Sequence, residues 1–567
     1  MSTPLSATNS AASSPGQPAG ATQPLLEIED LVVSYGTAKG VVHAVNNVSL
    51  TVHPGQITAI VGESGSGKST TAQAVIGLLA DNAEVDSGQI RFQGKSLVGL
   101  TPREWREIRG TRIGLIPQDP NNSLNPVKTI GASVGEGLDI HRRGTAAERK
   151  KRVIELLDRV GIDNPEVRYD QYPHELSGGM KQRALIAAAI ALEPELIIAD
   201  EPTSALDVTV QKIILDLLEE MQAELGLGIL FITHDLAVAG DRADQIVVMQ
   251  QGEVREHGHA ASVLTDPQHP YSRQLLADAP SLSIGDIATR VPAVDPAEAR
   301  AKGPLLVVDA LRKEYARGKE EVFVAVDDVS FEVLPGTTHA VVGESGSGKT
   351  TIGRAISGFN TPTSGSITIA GRDTTTLNKT QRREFRREVQ LVYQNPYSSL
   401  DPRQTIGATI GEPLRNFTKL SKQEINAKVE HYLDLVALDP KMTSRRPREL
   451  SGGQRQRVAI ARAMILEPEL VVFDEAVSAL DVTVQAQILR LLDDLQRELG
   501  LTYVFISHDL AVVREISDTV SVLSRGQQVE YGPTMDVFNN PQSDFTRQLI
   551  DAIPGSRYRG GDLNLGL

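Results

Sequence analysis

The sequence predicts an α/β protein of two tandem domains, each with a parallel sheet buried on both faces and an added antiparallel β subdomain. Three observations predict it. First, the 567-residue chain repeats itself. VGESGSGKST at 61–70 returns as VGESGSGKTT at 342–351, and LSGGMKQR at 176–183 returns as LSGGQRQR at 450–457. SALDVTVQ at 204–211 recurs unchanged at 478–485, and ITHDLAV at 232–238 recurs as ISHDLAV at 506–512. So long a period excludes a solenoid and means two homologous domains. Second, apolar runs such as ITAIVG, ELIIAD and LGILFITHD alternate with helical stretches such as AAERKKRVIELLDRV. Uniformly apolar strands between helices imply a parallel sheet covered on both sides. Third, GQIRFQG and GSITIAG read as antiparallel hairpins.

In chain order, residues 1–24 are rich in Ser, Ala, Pro, Gly and Thr and read as a disordered tail. That segment has no Lys or Arg before Lys39, so it lacks the basic start of a signal peptide. The first domain is assigned to 25–280. A mixed Pro, Ala, Gly and acidic stretch at 281–304 reads as a linker, the second domain as 305–555, and 556–567 as a tail. LLVVDALRKEY opens the second domain as LLEIEDLVVSY opens the first.

Composition removes several function classes. There are 72 acidic against 57 basic residues and a net charge of −15, which argues against nucleic acid as a partner. The chain has no cysteine, so it has no disulfide, thiolate zinc site, cysteine nucleophile or cysteine-held iron–sulfur cluster. No apolar run approaches the roughly 18–20 residues of a membrane span; the run from Ala184 to Leu192 is among the longest. Membrane contact is expected only through a partner.

The repeated motifs carry the chemistry. Gly62, Glu63, Ser64, Gly65, Ser66, Gly67, Lys68 and Ser69, followed by Thr70, fit a phosphate-binding loop. So do Gly343, Glu344, Ser345, Gly346, Ser347, Gly348, Lys349 and Thr350, followed by Thr351. Glycines let backbone N–H groups turn inward around an anion, and the next helix adds its positive end. The two lysines would reach β- and γ-phosphates, and the Ser69 and Thr350 hydroxyls would ligate Mg²⁺. A surface Gly/Ser loop is the alternative, which the second copy in register argues against. LIIADE ends in Asp200 and Glu201, and LVVFDE in Asp474 and Glu475. The aspartates would join the Mg²⁺ shell. The glutamates, on the opposite face of each strand, would meet an attacking water.

Together with LSGG, SALD and a histidine after an apolar strand, these loops resemble the nucleotide-binding domain of ATP-binding cassette (ABC) proteins over nearly the whole chain. The resemblance implies P-loop NTPase domains, each with a RecA-like core, an antiparallel β subdomain and a helical signature subdomain. It implies that the halves pair head to tail: Ser177, Gly178 and Gly179 would cap the ATP held by Lys349, and Ser451, Gly452 and Gly453 that held by Lys68. It also implies Gln118 and Gln394 as the Q-loop glutamines, which sense Mg²⁺ and lie beside the surface meeting a transmembrane partner. Tyr35 and Tyr315 would stack on adenine, with a core tyrosine as the alternative. His234 and His508 would contact the γ-phosphate and orient the glutamates, and Asp207 and Asp481 would end the loop coupling the sites. Both site sets are complete, so two hydrolytic sites are expected.

QDPNNSLNP, QNPYSSLDP, DEAVSALD and the segments DPQHPYSRQLLADAPSL and NPQSDFTRQLIDAIPG resemble dipeptide and oligopeptide importers. That branch implies both ATPase subunits fused in one chain. It also implies two transmembrane permease subunits, an extracytoplasmic solute-binding protein and a peripheral position on the cytoplasmic face of the membrane. Relatives of the branch import nickel or glutathione, which stay open as solutes. A soluble twin ATPase acting on ribosomes or DNA is the alternative class. Some relatives carry an iron–sulfur centre in the extension, which a chain without cysteine cannot hold.

Overall fold

The computed structural model describes residues 23–37, 40–204, 206–282, 293–317, 321–395, 399–478 and 480–558. Alternation of polar and apolar residues in Leu26–Thr37 turns one face inward, and this strand pairs antiparallel with Gly40–Val52 and with Ala83–Phe92. Lys95–Ser96 closes the last hairpin, as GQIRFQG predicts. The parallel layer runs Glu253–His259, Gln245–Gln250, Ile57–Val61, Gly228–Thr233, Leu196–Asp200, Ile113–Ile116, with only the first pair antiparallel. Every residue of Ile57–Val61 and Gly228–Thr233 is buried, because helices cover both faces.

The second half repeats this order with Ser364–Ile369 and Arg372–Asp373 as its hairpin. There, pairing of Asp327 with Gln527 joins both layers into one ten-stranded sheet. In the first half Asn46 N–H still donates to Gly252 O at 2.8 Å, as Asp327 N–H does to Gly526 O. A helical layer sits beside each parallel sheet. In the first half Thr145 and Glu148 form a capping box that starts Ala146–Arg159, whose Val153, Leu156 and Leu157 face the core. Ile130–Ile140 and Gly178–Ile190 complete that layer.

Two segments differ from the sequence expectation. The stretch read as linker holds a helix, Pro296–Lys302, capped by Asp295, with Ala299 fully buried. Its isolated apolar residue gives no period to detect. The stretch read as a C-terminal tail begins with a 3₁₀ turn, Ser556–Tyr558, packed on the first half. Of the stretches read as tails, 1–24 and 556–567, residues 1–22 and 559–567 lie outside the described residues. No helix among the described residues is long and apolar enough to cross a membrane.

Candidate nucleotide-binding and hydrolytic sites

Each phosphate loop joins a buried strand to a helix, Lys68–Val75 or Lys349–Ile356. The residue before each helix is Gly67 or Gly348, at φ 98° and 101°, a left-handed conformation that L side chains rarely adopt. The lysine folds back into its own loop: Lys68 Nζ donates to Gly62 O at 2.7 Å and Glu63 O at 2.9 Å. Lys349 Nζ donates to Gly343 O and Glu344 O, both at 2.8 Å. Burial pushes both ammonium groups below their ordinary value, against the pull of Glu201 and Asp481 on Lys68 and of Glu475 and Asp207 on Lys349. Asp481 and Asp207 belong to the opposite halves, so each loop lysine feels the charge of the aspartate that starts a helix of the other half.

Ser69 Oγ donates to Asp200 Oδ1 at 3.0 Å, and Thr350 Oγ1 to Asp474 Oδ1 at 3.0 Å. Burial raises both aspartates above their ordinary value despite these bonds. A buried hydroxyl and carboxylate side by side are hard oxygen donors of the kind Mg²⁺ takes. The buried Ser66 Oγ and Ser347 Oγ have no hydrogen-bond partner, so each loop also keeps a polar atom unsatisfied. The residues fit a Mg²⁺–nucleotide complex.

The strands end at Asp200 and Asp474, so strand alternation does not place the glutamates, contrary to the sequence reading. Glu201 and Glu475 stand just beyond, at φ 44° and 49°, a sparsely populated conformation for a residue with a side chain. Their N–H groups bond Ile232 O and Ile506 O of the adjacent strands, which holds that turn. The carboxylates are then gripped from two sides. Gln118 Nε2 donates to Glu201 Oε2 at 2.7 Å and His234 Nδ1 lies 3.3 Å from the same oxygen. Gln394 Nε2 and His508 Nδ1 sit 2.7 and 3.4 Å from Glu475 Oε2. Burial pushes each glutamate up, but the histidine bond and charge, the loop lysine and the glutamine together leave it below its ordinary value. Burial pushes the histidines down, and the facing glutamates outweigh it and raise them.

Ser177 and Ser451 N-cap Gly178–Ile190 and Gly452–Met464, accepting from Met180 N–H and Gln454 N–H at 3.3 Å. A Cβ on Gly179 would lie 2.6 Å from Val210 Cγ1, and one on Gly453 2.5 Å from Val484 Cγ1. The second glycine of each motif is therefore fixed by close packing. Asp207 and Asp481 N-cap the helices carrying those valines. Between the halves lies a cleft lined by Glu201, His234, Pro280, His508 and Pro554. Tyr35 and Tyr315 stand on half-exposed strand faces; Tyr35 Oη is 3.3 Å from Thr70 Oγ1 and Tyr315 Oη accepts from Asn360 at 3.0 Å. Sequence reasoning missed Tyr271, whose hydroxyl accepts from Glu63 N–H in the first loop at 3.2 Å. Its signal was present in DPQHPYSRQ, which identifies a branch of a family but not a contact.

This fold and site define a twin P-loop nucleotide-binding protein. The ABC transporter family profile matches residues 45–204 and 326–478, and that of the oligopeptide/dipeptide transporter C-terminal region matches 529–563. The peptidoglycan transport ATP-binding protein YejF of Agrobacterium fabrum is 44% identical over 540 residues, covering 94% of this chain and 96% of its own. The glutathione import ATP-binding protein GsiA of Escherichia coli O157:H7 is 41% identical over 558 residues, covering 94% and 89%. The chain belongs to the ABC transporter family, as an ATP-binding and ATP-hydrolysing protein with two cassettes.

Proposed function

We propose that the chain energises import of peptide-type solutes through two permease subunits fed by an extracytoplasmic binding protein, from the cytoplasmic face of the membrane. Each half binds ATP on its own loop, and the signature serine and glycines of the other half complete the pocket. Ser69, Asp200 and Gln118, or Thr350, Asp474 and Gln394, would hold Mg²⁺, which would supply charge neutralisation for the transferring phosphoryl group. Glu201 and Glu475 orient the water, and His234 and His508 hold those carboxylates ionised and aimed. Tyr35 and Tyr315 stack on adenine.

The duplicated glutamine–glutamate–histidine grip beside a phosphate loop carries the hydrolytic reading, since phosphoryl transfer asks mainly for positioning and charge stabilisation. The C-terminal match and the transport relatives support peptide-type import. GsiA's name keeps glutathione, itself a small peptide, among the solutes, and nickel stays open by resemblance. Gentle extraction of the tagged chain from native membranes, with mass spectrometry of what co-purifies, tests this. Two multi-spanning proteins and a binding protein are expected. Recovery of ribosomal proteins or nucleic acid would overturn the transport reading.

A further inference from the structure

The C-terminal extensions of the two halves share a register. Glu256 accepts from Gln268 and His269 N–H, as Glu530 does from Gln542 and Ser543 N–H. At that register the two differ at both ends of one helix. In the first half, Pro270–Ala277 begins with the buried Tyr271, whose hydroxyl accepts from Glu63 N–H of the first phosphate loop at 3.2 Å. It ends at Asp278, 2% exposed, which takes the guanidinium of Arg490 at 2.6 Å. Arg490 lies on Val482–Leu499 of the second half, a helix that starts at Asp481. Asp481 is close enough to act on the charge of both Lys68 and Tyr271.

Two hydrogen bonds therefore connect the first phosphate loop, through Tyr271, the extension helix and Asp278, to Arg490 on the second-half helix. In the second extension Phe545 stands where Tyr271 does and Ala552 where Asp278 does, so neither polar end exists. The internal repeat therefore keeps the helix and differs at both of its ends. We propose that Tyr271 is a positioning residue, and that its helix is a strut through which docking of the second half sets the first phosphate loop, with no counterpart at the second loop. This rests on the ATP-site reading above.

Hydrogen exchange on the full chain, followed separately in peptides covering 62–69 and 343–350, tests the strut without depending on turnover. Tyr271→Phe removes only the hydroxyl and should speed exchange in the first loop about fivefold, the worth of one hydrogen bond. Arg490→Gln, at the strut's far end, should speed the same loop. The double variant should add less than the sum, because both act through one connection. The 343–350 loop should not change. Steady-state hydrolysis in a Glu475→Gln background should show Tyr271→Phe raising KM for ATP with kcat nearly kept. No change at 62–69 on Arg490→Gln, additive effects, or equal changes in both loops would overturn the strut. If Glu201→Gln and Glu475→Gln leave hydrolysis intact, the catalytic reading fails while the exchange result still decides the strut.

Discussion

Glu201 and Glu475 are held at a backbone conformation costing on the order of 1–3 kcal/mol, and each is gripped by a glutamine and a histidine. Strain retained in both copies is consistent with a carboxylate that must point at a reacting centre. Glu201→Gln and Glu475→Gln together should lower ATP hydrolysis about 10²-fold or more with binding retained, measured as phosphate release. An unchanged rate on Glu475→Gln alone would mean a silent second site. The histidine–glutamate pairs also set a pH window. Each histidine is raised above its ordinary value near 6.5, so the stability it contributes is complete below that and is lost as pH rises through the raised value. The glutamates are lowered, so theirs is lost only as pH falls through the lowered value, below about 4.5. His508→Ala should flatten the melting temperature against pH on the alkaline side of 6.5, a change that thermal unfolding at several pH values detects.

The helices after LSGG and after SALD pack so closely that only glycine fits between them. A Cβ at Gly453 meets Val484, and one at Gly179 meets Val210. Overpacking of this kind costs typically 1–3 kcal/mol. Gly453→Ala should lower stability by about that amount in denaturant unfolding, and adding Val484→Ala should restore most of it. If the second substitution restored nothing, the glycine would be needed for its backbone instead. The contact ties the helix capped by Ser451 to the helix capped by Asp481, and likewise Ser177's to Asp207's.

Across the whole molecule, the extensions cross between halves. Asp278 of the first pairs with Arg490, while the C-terminal turn of the second places Gly555 N–H 2.6 Å and Arg557 N–H 3.3 Å from the Asp241 carboxylate. Arg557 adds a 3.2 Å bond to Glu219. These contacts lie apart from both phosphate loops, and a hinge that holds the halves together there is the expected consequence. Asp241→Ala should cost about 1 kcal/mol for each bond lost and widen the distance between halves without ATP. Because the native chain has no cysteine, spin labels on one introduced pair read that distance directly. An unchanged distance would remove the hinge.

Much of this was legible in the sequence because the relevant physics is local. Glycine spacing defines the phosphate loop, period and burial define the sheet, and a repeat in register defines two complete sites. The hairpins GQIRFQG and GSITIAG were readable for the same reason. What the tertiary structure alone decided are contacts between residues distant in sequence. Glu201 turns left-handed because strand Gly228–Thr233 offers Ile232 O to its N–H. Pro296–Lys302 forms because Ala299 finds a core. Tyr271 meets Glu63 across 208 positions, and Arg490 meets Asp278 across 212. Local propensity specifies which groups exist and what each can bond; which partner each one meets depends on how the chain packs.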